Sequence, residues 1–208
     1  MNSATQSFTL PGGAGPIEAL RDLPPEGAVR GTVVIAHPHP LFGGTMQNKV
    51  VQTLARAFVQ CGWQAVRFNF RGVGASAGVY DEGRGEAADM LSVVAQVAPE
   101  GPLALAGFSF GAFVTSHVAQ ALHAQRSLDK LVLVGTAASR FSVAPVASEW
   151  LERTLVLHGE QDDTVALSSV MDWARPQTLP VTVIPGVEHF FHGQLPLLKS
   201  LVVRHLQA

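Results

Sequence analysis

An open, mostly parallel β-sheet with helices on both faces is the fold predicted for this 208-residue chain. Three observations predict it. Strand-length runs that are apolar throughout, and not alternating, recur along the chain, as strands covered on both faces should. Helix-like segments separate them, which implies parallel strands joined by crossovers. The turn-rich first thirty residues depart from this rhythm and read as an antiparallel hairpin at the sheet edge.

In chain order, Ser7–Leu10 and Ile17–Asp22 form the hairpin around Pro11-Gly12-Gly13-Ala14-Gly15-Pro16. The buried strands are Thr32–Ala36, Gln64–Phe70, Leu103–Phe108, Lys130–Gly135 and Thr154–His158, with Val181–Ile184 following Pro180. The helices are Met46–Gln60, Gly85–Ala98, Phe110–Ala124, Ser168–Trp173 and Gln194–His205. Only a short connection joins Gly135 to Thr154. It holds one small helix, Ala147–Glu152, and no lid domain. The length fits a single domain spanning 1–208.

Composition excludes several classes of function. Net charge near −2, with no block of Lys or Arg, gives no basic footprint for nucleic acid. Trp63, Trp150 and Trp173 are not interleaved with basic residues. No apolar run approaches the roughly 20 residues of a membrane span, and no signal-like block opens the chain. The single Cys61 rules out an internal disulfide and suits a reducing compartment, so a cytoplasmic location is expected. Cys61 itself reads as a small hydrophobe near a helix C-terminus.

The most informative local feature is Gly107-Phe108-Ser109-Phe110-Gly111, a G-x-S-x-G run where a strand gives way to a helix. A Ser on such a sharp turn projects its hydroxyl clear of the sheet. Small neighbours on either side let strand and helix approach. With 13 Ser and 20 Gly, chance supplies about 0.12 matches, so partners must carry the case. Reactive groups of a parallel sheet gather at the carboxyl ends of its strands. Ser109, the loop Gly159-Glu160-Gln161-Asp162-Asp163, and His189 all fall there, in the order Ser, Asp, His. A Ser hydroxyl needs an imidazole to take its proton, and the imidazole needs a carboxylate to fix its tautomer.

Five segments together resemble the α/β-hydrolases, and in particular the small bacterial hydrolases without a lid. They are His37-Pro38-His39-Pro40 with Gly43-Gly44, Phe68-Asn69-Phe70-Arg71-Gly72-Val73-Gly74, the Ser109 corner, His158-Gly159-Glu160-Gln161-Asp162-Asp163, and Gly186-Val187-Glu188-His189-Phe190-Phe191. The resemblance covers nearly the whole chain. It implies an esterase-type hydrolase with Ser109 as nucleophile, His189 as base and Asp162 as acid, without metal or cofactor. Asp163 is the competing acid, with a bland alternative as a solvent-facing or helix-start carboxylate. The resemblance also implies an oxyanion hole from the Phe110 amide and a second amide near Pro38 and Pro40. As prolines have no N–H, His39 or Leu41 must supply it, and His39 is favoured.

Other readings of the same residues compete. His37, His39, His158 and His189 could be grouped as a zinc site, but a metal leaves the Ser109 corner unexplained. His192 is an alternative base, although a helix after Phe190 would turn it away. The loop from Arg71 to Gly78 has its glycines one residue too wide for a dinucleotide fingerprint and reads as a structural turn. Asn69 stands where the family usually has Asp, at the start of a loop that buttresses the site. Leu41, Phe42, Phe108 and Phe110 are placed to make the cleft apolar, and Trp150 either lines it or simply packs in the core.

The expected function is hydrolysis of small carboxylic esters or thioesters through an acyl-Ser109 intermediate. The alternative is a binding or sensing protein on the same fold. The expected partner is a small acyl ester, with no nucleic acid and no membrane. A homodimer is compatible with a site that has no lid to cover it.

Overall fold

A computed structural model of the chain describes residues 5–25 and 29–208. It builds one eight-stranded sheet from β1 (Thr5–Gly12), β2 (Gly15–Asp22), β3 (Thr32–Ala36), β4 (Gln64–Phe68), β5 (Leu103–Phe108), β6 (Lys130–Val134), β7 (Thr154–Gly159) and β8 (Val181–Ile184), in the order β1-β2-β4-β3-β5-β6-β7-β8. β3 to β8 run parallel, and the β1–β2 hairpin joins β4 antiparallel. The helices are α1 (Lys49–Gln60), α2 (Arg84–Val97), α3 (Phe110–Leu122), α4 (Leu167–Ala174) and α5 (Leu195–Gln207).

The all-apolar strands are explained by two cores. Val34, Phe68, Leu105, Leu133 and Val156 face α2, α3 and α4, meeting Met90, Val114 and Val170. Their neighbours in sequence, Val33, Ile35, Ala106, Val132 and Leu157, face α1 and α5, meeting Leu54, Phe58 and Val202. Side chains alternate across a strand, so apolar residues at every position fill both cores. Each fully buried Val, Leu, Ile, Phe or Met side chain among these contributes roughly 1.5–3 kcal/mol.

Where boundaries differ from the sequence reading, a hydrogen bond or dihedral accounts for it. β4 stops at Phe68, because the Phe70 N–H leaves the ladder to donate to His37 Nε2 at 3.0 Å. β6 stops at Val134, where Gly135 turns to φ +53°. α1 starts at Lys49, not Met46. The Asn48 side chain caps it by accepting from the Val50 and Val51 amides, while the Met46 amide donates to Asn69 Oδ1. The hairpin extends into the Pro/Gly run, pairing Pro11 with Pro16 and Gly12 with Gly15 and leaving Gly13-Ala14 as the turn. The expected small helix is a 3₁₀ segment, Ser148–Arg153. Among the described residues no helix is long and apolar enough to cross a membrane.

Candidate active site

The corner between β5 and α3 puts Ser109 at φ +57° and ψ −117°, a conformation L-residues adopt only under constraint. Both flanking glycines are required sterically. A Cβ on Gly107 would lie 2.4 Å from the Gly111 carbonyl oxygen, and one on Gly111 2.4 Å from the Ala36 carbonyl oxygen. The Ser109 N–H donates to the Val134 carbonyl at 2.8 Å, tying the corner to β6.

Two further strand ends complete a hydrogen-bonded chain. His189 follows β8, and Ser109 Oγ–H donates to its Nε2 at 3.0 Å. Its Nδ1–H donates to Asp162 Oδ2 at 2.6 Å, in the loop after β7. The carboxylate thereby fixes the tautomer that leaves Nε2 free to accept. Asp162 Oδ1 accepts the Thr164 and Val165 amides at 3.0 and 2.7 Å, which locks the carboxylate plane. All three side chains are buried or nearly so. The Asp and His loops meet over Gly159, where a Cβ would strike the Val187 carbonyl at 2.2 Å.

Electrostatics suit this arrangement. Burial pushes the Asp162 carboxyl up, but the His189 hydrogen bond and charge, the Val165 amide and His158 outweigh it, leaving a net downward shift. His158 lies wholly buried behind the carboxylate and donates from Nε2 to the Val165 carbonyl at 2.9 Å. Its pKa is lowered by burial. Phe108 and Phe190 pack on the His189 ring with centroids 4.9 and 5.0 Å away.

The His39 and Phe110 amides donate to no protein acceptor among the described residues. The Leu41 amide does, giving its proton to His39 Nδ1 at 3.2 Å. The turn is closed by Gly44, whose amide donates to the His39 carbonyl and where a Cβ would lie 2.1 Å from the Pro38 carbonyl.

Several residues considered in the sequence stand elsewhere. Asp163 does not touch His189; its carboxylate accepts from Thr164 Oγ1, and the next helix begins only at Leu167. His192 is turned away because its Nδ1 pairs with Glu188 at 3.1 Å, with no helix before Leu195. His37 is buried, accepting from Phe70 and donating from Nδ1 to the Pro38 carbonyl at 2.6 Å; burial pushes its pKa down to about 4. Among the described residues no three His, Cys, Asp or Glu side chains cluster as metal ligands. The Arg71 loop is fastened outside the site, by two 2.8 Å bonds from Arg71 to Asp89 and by Asn69 and Ala75 donating to Glu18.

A cleft of about 360 Å³ opens over Ser109 and His189. Its walls correct two expectations and decide the alternatives for Trp150 in favour of packing. Phe42 and Phe110 line it, but Phe108 is fully buried behind the imidazole, and Leu41 points to solvent. Trp150 precedes β7, so it sits at the opposite end of the strand from the site. It is buried there against His123. The sequence reading missed Asn48, Arg140, Phe141 and Thr164, which also line the cleft. Asn48 carried a signal, as a helix-capping residue near the His39 turn. Arg140 and Phe141 lie in an irregular connection with no periodicity to orient them.

A parallel sheet edged by an antiparallel hairpin, with Ser109 on a glycine-flanked strand-to-helix corner, defines the α/β-hydrolase architecture. The sequence profile described as serine aminopeptidase, S33 matches residues 27–155, and the chain belongs to that family within the α/β-hydrolase superfamily. The fold is similar to an α/β serine hydrolase without a lid from Xanthomonas campestris. That match has a TM-score of 0.87 and 35% identity, covering 100% of this chain and 95% of the other. An α/β serine hydrolase homologue from Coxiella burnetii matches at TM-score 0.81 and 38% identity over 97% of each chain. An uncharacterized protein of Rickettsia prowazekii is 28% identical over 76% of this chain and 71% of its own.

Proposed function

We propose that the protein hydrolyses small carboxylic esters or thioesters through an acyl-Ser109 intermediate. The observation that carries this is the unbroken run from Asp162 through His189 to Ser109 Oγ, with bonds of 2.6 and 3.0 Å, opening on the cleft. In the proposed mechanism His189 takes the Ser109 proton as Oγ attacks the carbonyl carbon. Asp162 stabilises the imidazolium, which then protonates the leaving alkoxide or thiolate. Water repeats the sequence on the acyl-enzyme, releasing the acid and returning the proton to Ser109. The Phe110 and His39 amides are the proposed oxyanion donors, since neither is committed to a protein acceptor among the described residues. Removing a donor of this kind typically costs about 2.7–4 kcal/mol of barrier. A cytoplasmic location fits the lone cysteine.

The family description names an aminopeptidase. An aminopeptidase must hold a substrate ammonium group. The cleft lining offers Arg140 and, among the described residues, no carboxylate, which favours the ester reading. The test is intact mass after treatment with a fluorophosphonate, run beside Ser109→Ala. One adduct on the native chain, absent in the variant, is expected. No adduct on folded native protein would make the fold a binding scaffold instead. Aminoacyl anilides compared with 4-nitrophenyl esters separate amide from ester chemistry.

A further inference from the structure

The residues lining the cleft carry charge of one sign, although the buried Glu86 acts on His39 from behind. Arg140 is the fixed cation on its lining, and no Asp or Glu among the described residues shares that lining. Its guanidinium makes no hydrogen bond, ion pair or aromatic contact among the described residues. Most other arginines are engaged: Arg67 with Asp22, Arg71 with Asp89, Arg84 with Asp81, Arg126 and Arg153 with carbonyls, Arg175 with Asp172. Arg204 also lacks a partner, but it lies on α5 away from the cleft lining. Glu82 lines the depression next to Arg140, yet its carboxylate lies 3.8 Å from the Arg84 guanidinium.

The backbone that presents Arg140 is pinned. The Arg140 and Phe141 amides both donate to the Ala137 carbonyl, at 3.2 and 3.1 Å. The Phe141 ring stacks on Phe113 with centroids 4.7 Å apart and planes 18° apart. The His117 ring bonds the Ser142 carbonyl at 2.8 Å. Arg140 is exposed and borders both the cleft and the neighbouring depression, and its guanidinium is a planar donor fork open to a carboxylate.

We infer that Arg140 sets specificity, and that the substrate is an ester or thioester carrying a carboxylate on a short spacer from the scissile carbonyl. This rests on the hydrolase reading above. Arg140 pairs with the substrate's charge, while the aromatic walls receive the spacer.

The experiment compares kcat/KM for mono(4-nitrophenyl) glutarate and 4-nitrophenyl pentanoate, which differ in the terminal carboxylate. A second pair, the acetyl ester of 3-hydroxybenzoate and phenyl acetate, moves the charge to the leaving group. Wild type is expected to prefer the charged member of one pair. Arg140→Gln should reduce that preference by about tenfold or more, and Arg140→Lys should retain part of it. Added salt should erode the preference in wild type and leave Arg140→Gln flat. Equal ratios in wild type and Arg140→Gln overturn the inference while leaving the hydrolase intact. Calorimetry of glutaric acid monoanilide on Ser109→Ala gives a readout without turnover. Binding that is lost in the Arg140→Gln double variant upholds the anion site even if no ester is cleaved, and no binding together with no preference rejects it.

Discussion

At the scale of single residues, two neighbouring carboxylates are set apart by geometry. Asp162 holds His189 Nδ1 and accepts two backbone amides, whereas Asp163 touches only Thr164 Oγ1. Asp162→Asn should therefore lower kcat/KM on a neutral 4-nitrophenyl ester by about 10³–10⁴-fold, because an amide cannot hold the imidazole in the accepting tautomer. Asp163→Asn should stay within about twofold, and one initial-rate comparison checks both. His37 supplies a pH dependence of stability. Its folded pKa is about 4 against 6.5 unfolded, so the unfolded chain binds the proton more readily. The stability owed to neutral His37 is whole above pH 6.5 and erodes as pH falls towards 4. From pH 7 to pH 5 the loss from this residue is about 2 kcal/mol. Urea unfolding should accordingly give a shallower dependence on pH for His37→Gln than for wild type, whatever the variant's absolute stability.

At the scale of elements, the β5–α3 corner is the most constrained junction. The atoms a Gly111 side chain would meet are the Ala36 and His37 carbonyls, backbone of β3 and its exit, which cannot swing aside as a side chain does. Gly111→Ala should cost about 1–3 kcal/mol by overpacking and slow fluorophosphonate labelling by displacing Ser109. Urea titration and labelling rate measure the two effects separately. Gly135 is constrained differently: its φ of +53° strains any side chain, and its Cβ would also press on the His189 ring at 3.1 Å.

At the scale of the whole molecule, the cleft stands open beside the short connection from β6 to β7. Activity on a short-chain ester should rise hyperbolically with concentration, with no jump where the ester begins to form aggregates. A sharp rise there would point to a covering element that moves. Much of this architecture was legible in the sequence, because strands buried on both faces must be apolar at every position. Ser109, Asp162 and His189 could be singled out as candidates because each sits just past such a strand. Phe70 misled because its chemistry suits a strand, while its amide is claimed by His37 across the loop. Trp150 stayed open between cleft and core because distance along the chain does not say at which end of a strand a residue lies. Arg140 was invisible for a related reason: in a loop without periodicity, only tertiary contacts decide which way a side chain faces.

The closeness of the Asp162 and His189 loops over Gly159 divides the molecule into parts that can and cannot be rewritten. Those two loops are clasped backbone to backbone, so lengthening either one shifts the other, and neither can be exchanged alone. The connection from β6 to β7 carries Arg140 and Phe141 but no member of the Asp162–His189–Ser109 chain. It is the natural splice point for grafting. On the proposed hydrolase reading, replacing the part of it beyond Gly135 with foreign sequence of similar length should change which esters are accepted while leaving fluorophosphonate labelling of Ser109 in place.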